Sequence, residues 1–131
     1  MSKRDIKHPE KQVSTGAYSA GVLVDGWLYV SGQASLDYRT GRIIRGTVEE
    51  ETRCTLEHIE KILHAAGATI PDIVKCTVHL HDIREFDRFN QAYFDFFAAR
   101  GATILPARTT VQSVLYDDLK VEIDAVARVK G

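Results

Sequence analysis

From Val121 to Val129 the side chains alternate with a period of two. Val121, Ile123, Ala125, Ala127 and Val129 fall on one side, and Glu122, Asp124, Val126 and Arg128 on the other. Only an extended chain sorts residues in this way. The segment from Lys120 to Val129 therefore reads as a strand with one face on a core, and the rest of the chain must supply that core.

Two segments of helical period can cover it. Thr47, followed three residues on by Glu50, forms a capping box. Val48, Leu56, Ile59, Leu63 and Ala66 then recur near helical spacing, and Gly67 offers a left-handed stop. A second helix spans roughly Glu85 to Arg100, with Phe86, Phe89, Tyr93, Phe96 and Phe97 apolar and Gly101 closing it. An aromatic row at this spacing is read as core rather than as a binding surface. Each helix has a single apolar stripe, so each needs one partner surface.

The remaining strands are shorter. Tyr18 to Val24 and Trp27 to Ser31 flank Asp25-Gly26, a strong hairpin turn signal. Gly32 and the polar run Asp37 to Gly41 mark a loop, and Arg42 to Arg45 reads as an added short strand. Pro71 sits in a turn before the strand Ile73 to Leu80, where Val74, Cys76, Val78 and Leu80 share a face. Thr109 to Leu115 follows Pro106 as the penultimate strand. The order β-β-(β)-α-β-α-β-β predicts an α+β domain with one sheet and both helices on one face. The other sheet face is then left to solvent or to a partner subunit, which points to a homo-oligomer.

A chain of 131 residues, 44% hydrophobic and 27% charged, fits one globular domain spanning 1–131. Residues 1–15 are polar and are expected to be loosely held before the first strand. Lys plus Arg is 17 against 18 for Asp plus Glu, a net charge of -1. That balance supplies no bulk positive field for nucleic acid, although a local patch stays open. Cys54 and Cys76 are expected as two free buried thiols. The charged start Met-Ser-Lys-Arg-Asp is not followed by an apolar run, and no stretch approaches the roughly 20 apolar residues of a membrane span. A cytoplasmic protein with no membrane partner is expected.

Arg108 and Glu122 are the first candidates for chemistry. Arg108 follows Pro106-Ala107 at the entry of a strand, and Glu122 lies on the polar side of the last one. If these strands pair through the Tyr116-Asp117-Asp118 turn, the two fall at the same end of the ladder. A guanidinium fork suits a carboxylate, and a nearby carboxylate can activate water. Spacing alone favours the blander alternative, a cross-strand ion pair at the surface.

Four ordered motifs bear on that choice. Leu105-Pro-Ala-Arg-Thr-Thr-Val111 followed by Val121-Glu-Ile-Asp-Ala-Val-Ala127 resembles the C-terminal signature of the RidA/YjgF family. Tyr29-Val-Ser-Gly-Gln33 resembles its second-strand motif, and Gly16-Ala-Tyr-Ser19 its glycine-proline-tyrosine segment. Asp87-Arg-Phe-Asn-Gln-Ala-Tyr-Phe-Asp-Phe-Phe97 is similar to its second helix. The resemblance implies a chorismate-mutase-like fold and a homotrimer with clefts between subunits. It implies hydrolysis of reactive enamines and imines, such as 2-aminoacrylate/2-iminopropanoate and 2-iminobutanoate, to 2-keto acids and ammonia, without metal or organic cofactor.

Carried over by position, Arg108 matches the carboxylate-binding arginine and Glu122 the acid that positions water. Tyr18, Ser31, Gly32, Asn90 and Thr110 match positions around the ligand. Three departures bear on substrate preference more than on reaction type. Ala17 stands where the family has proline, Thr110 where cysteine is common, and Leu115-Tyr-Asp-Asp118 replaces the usual loop with its Leu-Pro.

Other readings are weaker. His79 and His81, with Asp82 adjacent, and the i,i+4 pair Cys54 and His58 are partial metal sets, and no metal site is expected from them. Ser31 lacks a nucleophile elbow. From other classes, the alternatives are a regulatory module that binds small carboxylates without turnover, and an endoribonuclease or translation inhibitor as claimed for some RidA relatives.

Overall fold

The computed structural model describes residues 2–130. Eight strands and two helices appear in the order β1 (Arg4–Ile6), β2 (Gly21–Val24), β3 (Trp27–Gln33), β4 (Leu36–Asp37), β5 (Arg42–Ile43), α1 (Val48–Ala65), β6 (Ile73–Leu80), α2 (Phe86–Ala99), β7 (Ala107–Gln112) and β8 (Val121–Arg128). The main sheet has the order β1-β2-β3-β8-β6-β7, and β4 and β5 form a small separate hairpin. Every pairing in the main sheet is antiparallel except β6 with β7. No helix among the described residues is long and apolar enough to cross a membrane.

Local signals account for most of these elements. Thr47 accepts from the Glu50 N–H while the Glu50 carboxylate accepts from the Thr47 N–H at 2.8 Å, closing the capping box at the start of α1. Asp25 and Gly26 both have positive φ, as a two-residue hairpin between β2 and β3 requires. Val121, Ile123, Ala125 and Ala127 are buried, with Glu122, Asp124 and Val126 only partly covered. One continuous core joins them to Leu28, Val30, Cys76, Val78 and Leu80 of the sheet, Leu56, Ile59 and Leu63 of α1, and Phe89, Tyr93, Phe96 and Phe97 of α2. Both helices thus share the face defined by the apolar row of β8.

Three expectations need correction. The last two strands do not pair. The α2 crossover returns the chain to the starting end of β6, so β7 enters parallel beside it, with Cys76 opposite Arg108. The other edge of β6 is taken by β8, which lies antiparallel between β3 and β6. Val74 does not share the inward face. An irregularity between Ile73 and Lys75 buries Ile73 and leaves Val74 exposed. The segment before the first expected strand is also held more firmly than its polarity suggests. Arg4–Ile6 pairs with β2, and Ile6 and His8 are buried.

Candidate active site

Glu122 stands on β8, on the sheet face away from the helices. The neighbouring strand β3 is irregular between Val30 and Gln33, and Gly32 lies in that stretch. A Cβ at Gly32 would fall 2.5 Å from Glu122 Oε2 and 3.0 Å from its Cδ. The missing side chain therefore makes room for the carboxylate of the same chain. Tyr18 faces this place from the segment before β2. Its hydroxyl lies 2.6 Å from Thr15 Oγ1, and Gly16 leaves space for its ring. The Ser31 hydroxyl donates to the Ser19 carbonyl, and its N–H to Ala20 O at 2.9 Å, binding β3 to the segment that carries Tyr18.

A groove of about 480 Å³ results, lined by Tyr18, Gly32, Leu36, Tyr38, Tyr116 and Glu122 among others. A shallower depression of about 560 Å³ continues along the sheet past Tyr29, Ser31 and Asp124. Another cleft, between the outer sides of α1 and α2, contains Glu49, Arg53, Arg88 and Arg100. Its arginines at 88 and 100 are engaged by Glu49 and Glu60, each at 2.7 Å. None of the expected site residues lines it.

Arg108 lies at the outer edge of the sheet, on β7. Its register partner Cys76 is fully buried toward the helices, so Arg108 points the same way. Its Nη2 donates to Asn90 Oδ1 of α2 at 2.8 Å. Its guanidinium carbon is 4.7, 5.3 and 5.6 Å from the ring centres of Tyr93, Phe89 and Phe86. A planar cation is favoured over aromatic faces. Among the described residues no carboxylate approaches it within 4.0 Å, since every ion pair engages other cations. A guanidinium has five N–H donors, and one is used here. Thr110, two residues on, shares this face. Beneath, burial pushes the Cys76 thiol up to about 11 and also raises the Tyr93 phenol, keeping both neutral around the cation.

The expected residues therefore form two groups. Tyr18, Ser31, Gly32 and Glu122 meet at the groove, while Arg108, Asn90 and Thr110 gather at the β7 edge. Glu122 is opposite His79 on β6, and Arg108 opposite Cys76. Positions 76 and 79 differ by an odd number, so their partners project to opposite faces. The whole width of β6 also lies between β7 and β8. This geometry removes the proposed neighbourhood of Arg108 and Glu122, and with it the cross-strand ion pair.

The remaining candidates have other partners. His79 Nδ1 lies 2.8 Å from Ser113 Oγ, and His58 is bonded to His8 and to Leu36 O. Sequence reading missed Thr15, Tyr38 and Tyr116 at the groove, because they come from loops with no period to expose them. It assigned Phe86, Phe89 and Tyr93 to the core alone. Their 86/89/93 spacing puts them on one stripe beside Asn90, which was the available signal for a shelf under Arg108.

Comparison with known proteins places this geometry among relatives. A family model described as Endoribonuclease L-PSP matches residues 9–129. A RutC family protein of Pyrococcus abyssi is 35% identical over 128 residues, 97% of this chain and 98% of that one. The human 2-iminobutanoate/2-iminopropanoate deaminase is 36% identical over 128 residues, 97% of this chain and 90% of its own. The crystal structure of E. coli TdcF with bound serine is similar with a TM-score of 0.88 and 34% identity, covering 97% of this chain and 99% of that chain.

Proposed function

The chain belongs to the RidA/YjgF (Endoribonuclease L-PSP) family, and on that premise we propose that it hydrolyses small 2-imino acids to 2-keto acids and ammonia. The observation that carries this reading is the state of Arg108. Its guanidinium is oriented by Asn90 and three aromatic rings, yet no carboxylate of the described residues neutralises it. Such a cation, with donors to spare, suits the carboxylate of a small acid.

The two half-sites meet if two copies of the chain do. The β7 edge and its flanks expose Ile104, Leu105, Val111 and Val114, and an exposed apolar edge strand is suited to burial against another subunit. A homotrimer would seat this edge of one protomer against the Glu122 groove of the next and form three clefts. Each would have Arg108 from one copy and Glu122 from another.

In such a cleft Arg108 binds the substrate carboxylate and fixes the imine carbon. Glu122 takes a proton from water as its oxygen adds to that carbon. The imine reacts in its protonated form, so the carbinolamine is neutral. It receives the proton from Glu122 on nitrogen, the C–N bond breaks, and ammonia leaves as the hydroxyl gives its proton back to Glu122 and the C=O bond forms. Tyr18 and the backbone at Gly32 bound the ligand on the Glu122 side. Thr110, beside Arg108, offers a hydroxyl to the carboxylate side. The net charge of -1 supplies no field for the polyanion that the family description suggests.

The test is to generate 2-iminopropanoate with a serine dehydratase and follow its decay. The native protein should accelerate that decay, and Arg108→Ala and Glu122→Gln should each abolish the acceleration with the fold intact. Native-rate decay with Arg108→Ala would remove the assignment.

A further inference from the structure

The loop around Tyr18 forms one wall of the groove. A buried pair of histidines is placed to hold it. His8 Nε2 lies 2.9 Å from His58 Nδ1. His58 Nε2 lies 2.6 Å from the Leu36 carbonyl, and the Glu10 N–H donates to His8 Nδ1 at 3.0 Å. These bonds fix both rings. A carbonyl only accepts, so His58 Nε2 has the proton and its Nδ1 is bare. His8 must then donate from Nε2, and its bare Nδ1 accepts from Glu10. Both rings are neutral, and no nitrogen is left to take a second proton without opposing two donors.

The pair joins three elements. His8 belongs to the strap between β1 and β2, which leads to Tyr18. His58 belongs to α1. Leu36 and Tyr38 belong to the β4–β5 hairpin and line the groove with Glu122. The Tyr38 ring packs on both histidines at 4.8 and 4.7 Å, and its carbonyl accepts from the Gln12 N–H of the strap at 3.0 Å.

We propose that His8 and His58 form a proton-sensitive clasp that holds the strap carrying Tyr18, and with it the Tyr38 wall, in place beside Glu122. The proposal rests on the reading of that groove as the substrate site. His8 and His58 are positioning residues and touch no substrate.

The charges around the clasp agree with its neutrality. From the strap come Glu10 and Lys11, from α1 Lys61, Glu57 and Cys54, and from the hairpin Tyr38 and Arg39. Glu10 is the acid that acts on His8, and it is drawn to Lys61 at 3.0 Å and Arg39 at 3.2 Å. Burial, then the neighbouring His58, holds His8 down to about 4, and burial also lowers His58. Once the strap opens, a free histidine titrates near ~6.5. Acid therefore favours opening, and the stabilisation present above pH ~6.5 is lost as pH falls toward 4. By linkage through His8 alone, the opening equilibrium should rise about thirtyfold between pH 7.5 and 5.

Amide hydrogen exchange on the full chain reads this directly. After correction for intrinsic rates, protection at Glu10, Lys11 and Gln12 should fall about thirtyfold from pH 7.5 to 5 and stay well below that of β6 and β8, which exchange only through global unfolding. His8→Gln keeps an amide donor at the Nε2 position and cannot titrate, so it should keep strap protection at pH 7.5 and lose most of the pH response. His8→Phe fills the space without a donor and should lose strap protection at both pH values. Its KM for 2-iminopropanoate should rise about tenfold with kcat within about twofold, the pattern of lost binding. Strap protection independent of pH, a full pH response in His8→Gln, or an unchanged KM with an open strap would each overturn the proposal. Exchange needs no substrate. A native protein that turns over no imine would remove the catalytic reading and leave the clasp decided by exchange.

Discussion

Arg108 and Glu122 are held by opposite means. Arg108 rests on regular structure, with its strand fixed by β6 and its guanidinium by one stripe of α2. Glu122 also stands on a strand, but its surroundings are irregular: the β3 distortion, the strap with Tyr18 and the β4–β5 hairpin. The difference teaches that damage should divide. Changes around Arg108 affect the core and the anchor together, whereas changes around Glu122 alter the site while the fold stays intact.

The largest expected effect is on the anchor itself. Arg108→Ala should lower kcat/KM by about a thousandfold, equivalent to ~4 kcal/mol, with stability altered by less than about 1 kcal/mol. Steady-state kinetics beside a denaturant titration would check both. Phe89→Ala should break the comparison from the fold side. Phe89 is fully buried under Arg108, and its truncation should cost about 3–5 kcal/mol. If its denaturation midpoint is native, the shelf is not part of the core.

Glu51 provides a structural control. It is buried and accepts from the N–H groups of Gly46 and Lys120, at 3.2 and 3.0 Å, tying α1 to the loop before it and to the start of β8. Glu51→Ala should destabilise by about 1–2 kcal/mol by leaving two half-buried donors without their carboxylate, and calorimetry would show it. Gly32→Ala then sharpens the Glu122 side. Its Cβ would displace the carboxylate, so kcat should fall about tenfold, or ~1.4 kcal/mol. The melting temperature should stay within about 3 °C of native. The smallest effect is on pH dependence. The native protein should lose a few degrees more than His8→Gln between pH 7.5 and 5, because the stabilisation from the lowered His8 pKa is full above the free value and is lost as pH falls toward 4.

Much of this organisation was legible in the residues. The alternation of β8, the Thr47–Glu50 capping box and the Asp25-Gly26 turn are local, and each forms where expected. The motifs put Tyr18, Ser31, Gly32 and Glu122 around one ligand together with Arg108, Asn90 and Thr110, whereas within one chain only the first four line a common depression. Strand order was not legible, because β8 enters between β3 and β6 through pairings remote in sequence. That order puts the width of β6 between Arg108 and Glu122, and the register at Cys76 and His79 puts them on opposite faces. Val74 was misassigned because a local irregularity shifts the period by one. The hold on residues 4–12 was hidden because it depends on His58, fifty residues away from His8.

The central claim is that a working cleft takes Arg108 from one copy and Glu122 from another. Arg108→Ala and Glu122→Gln chains, each inactive alone, should be refolded together in equal amounts and assayed on 2-iminopropanoate. In a cyclic trimer with random exchange, about one quarter of the clefts pair an intact arginine with an intact glutamate. The mixture should recover about that fraction of native activity. A mixture that forms hybrid assemblies yet stays as inactive as its parents would contradict the account.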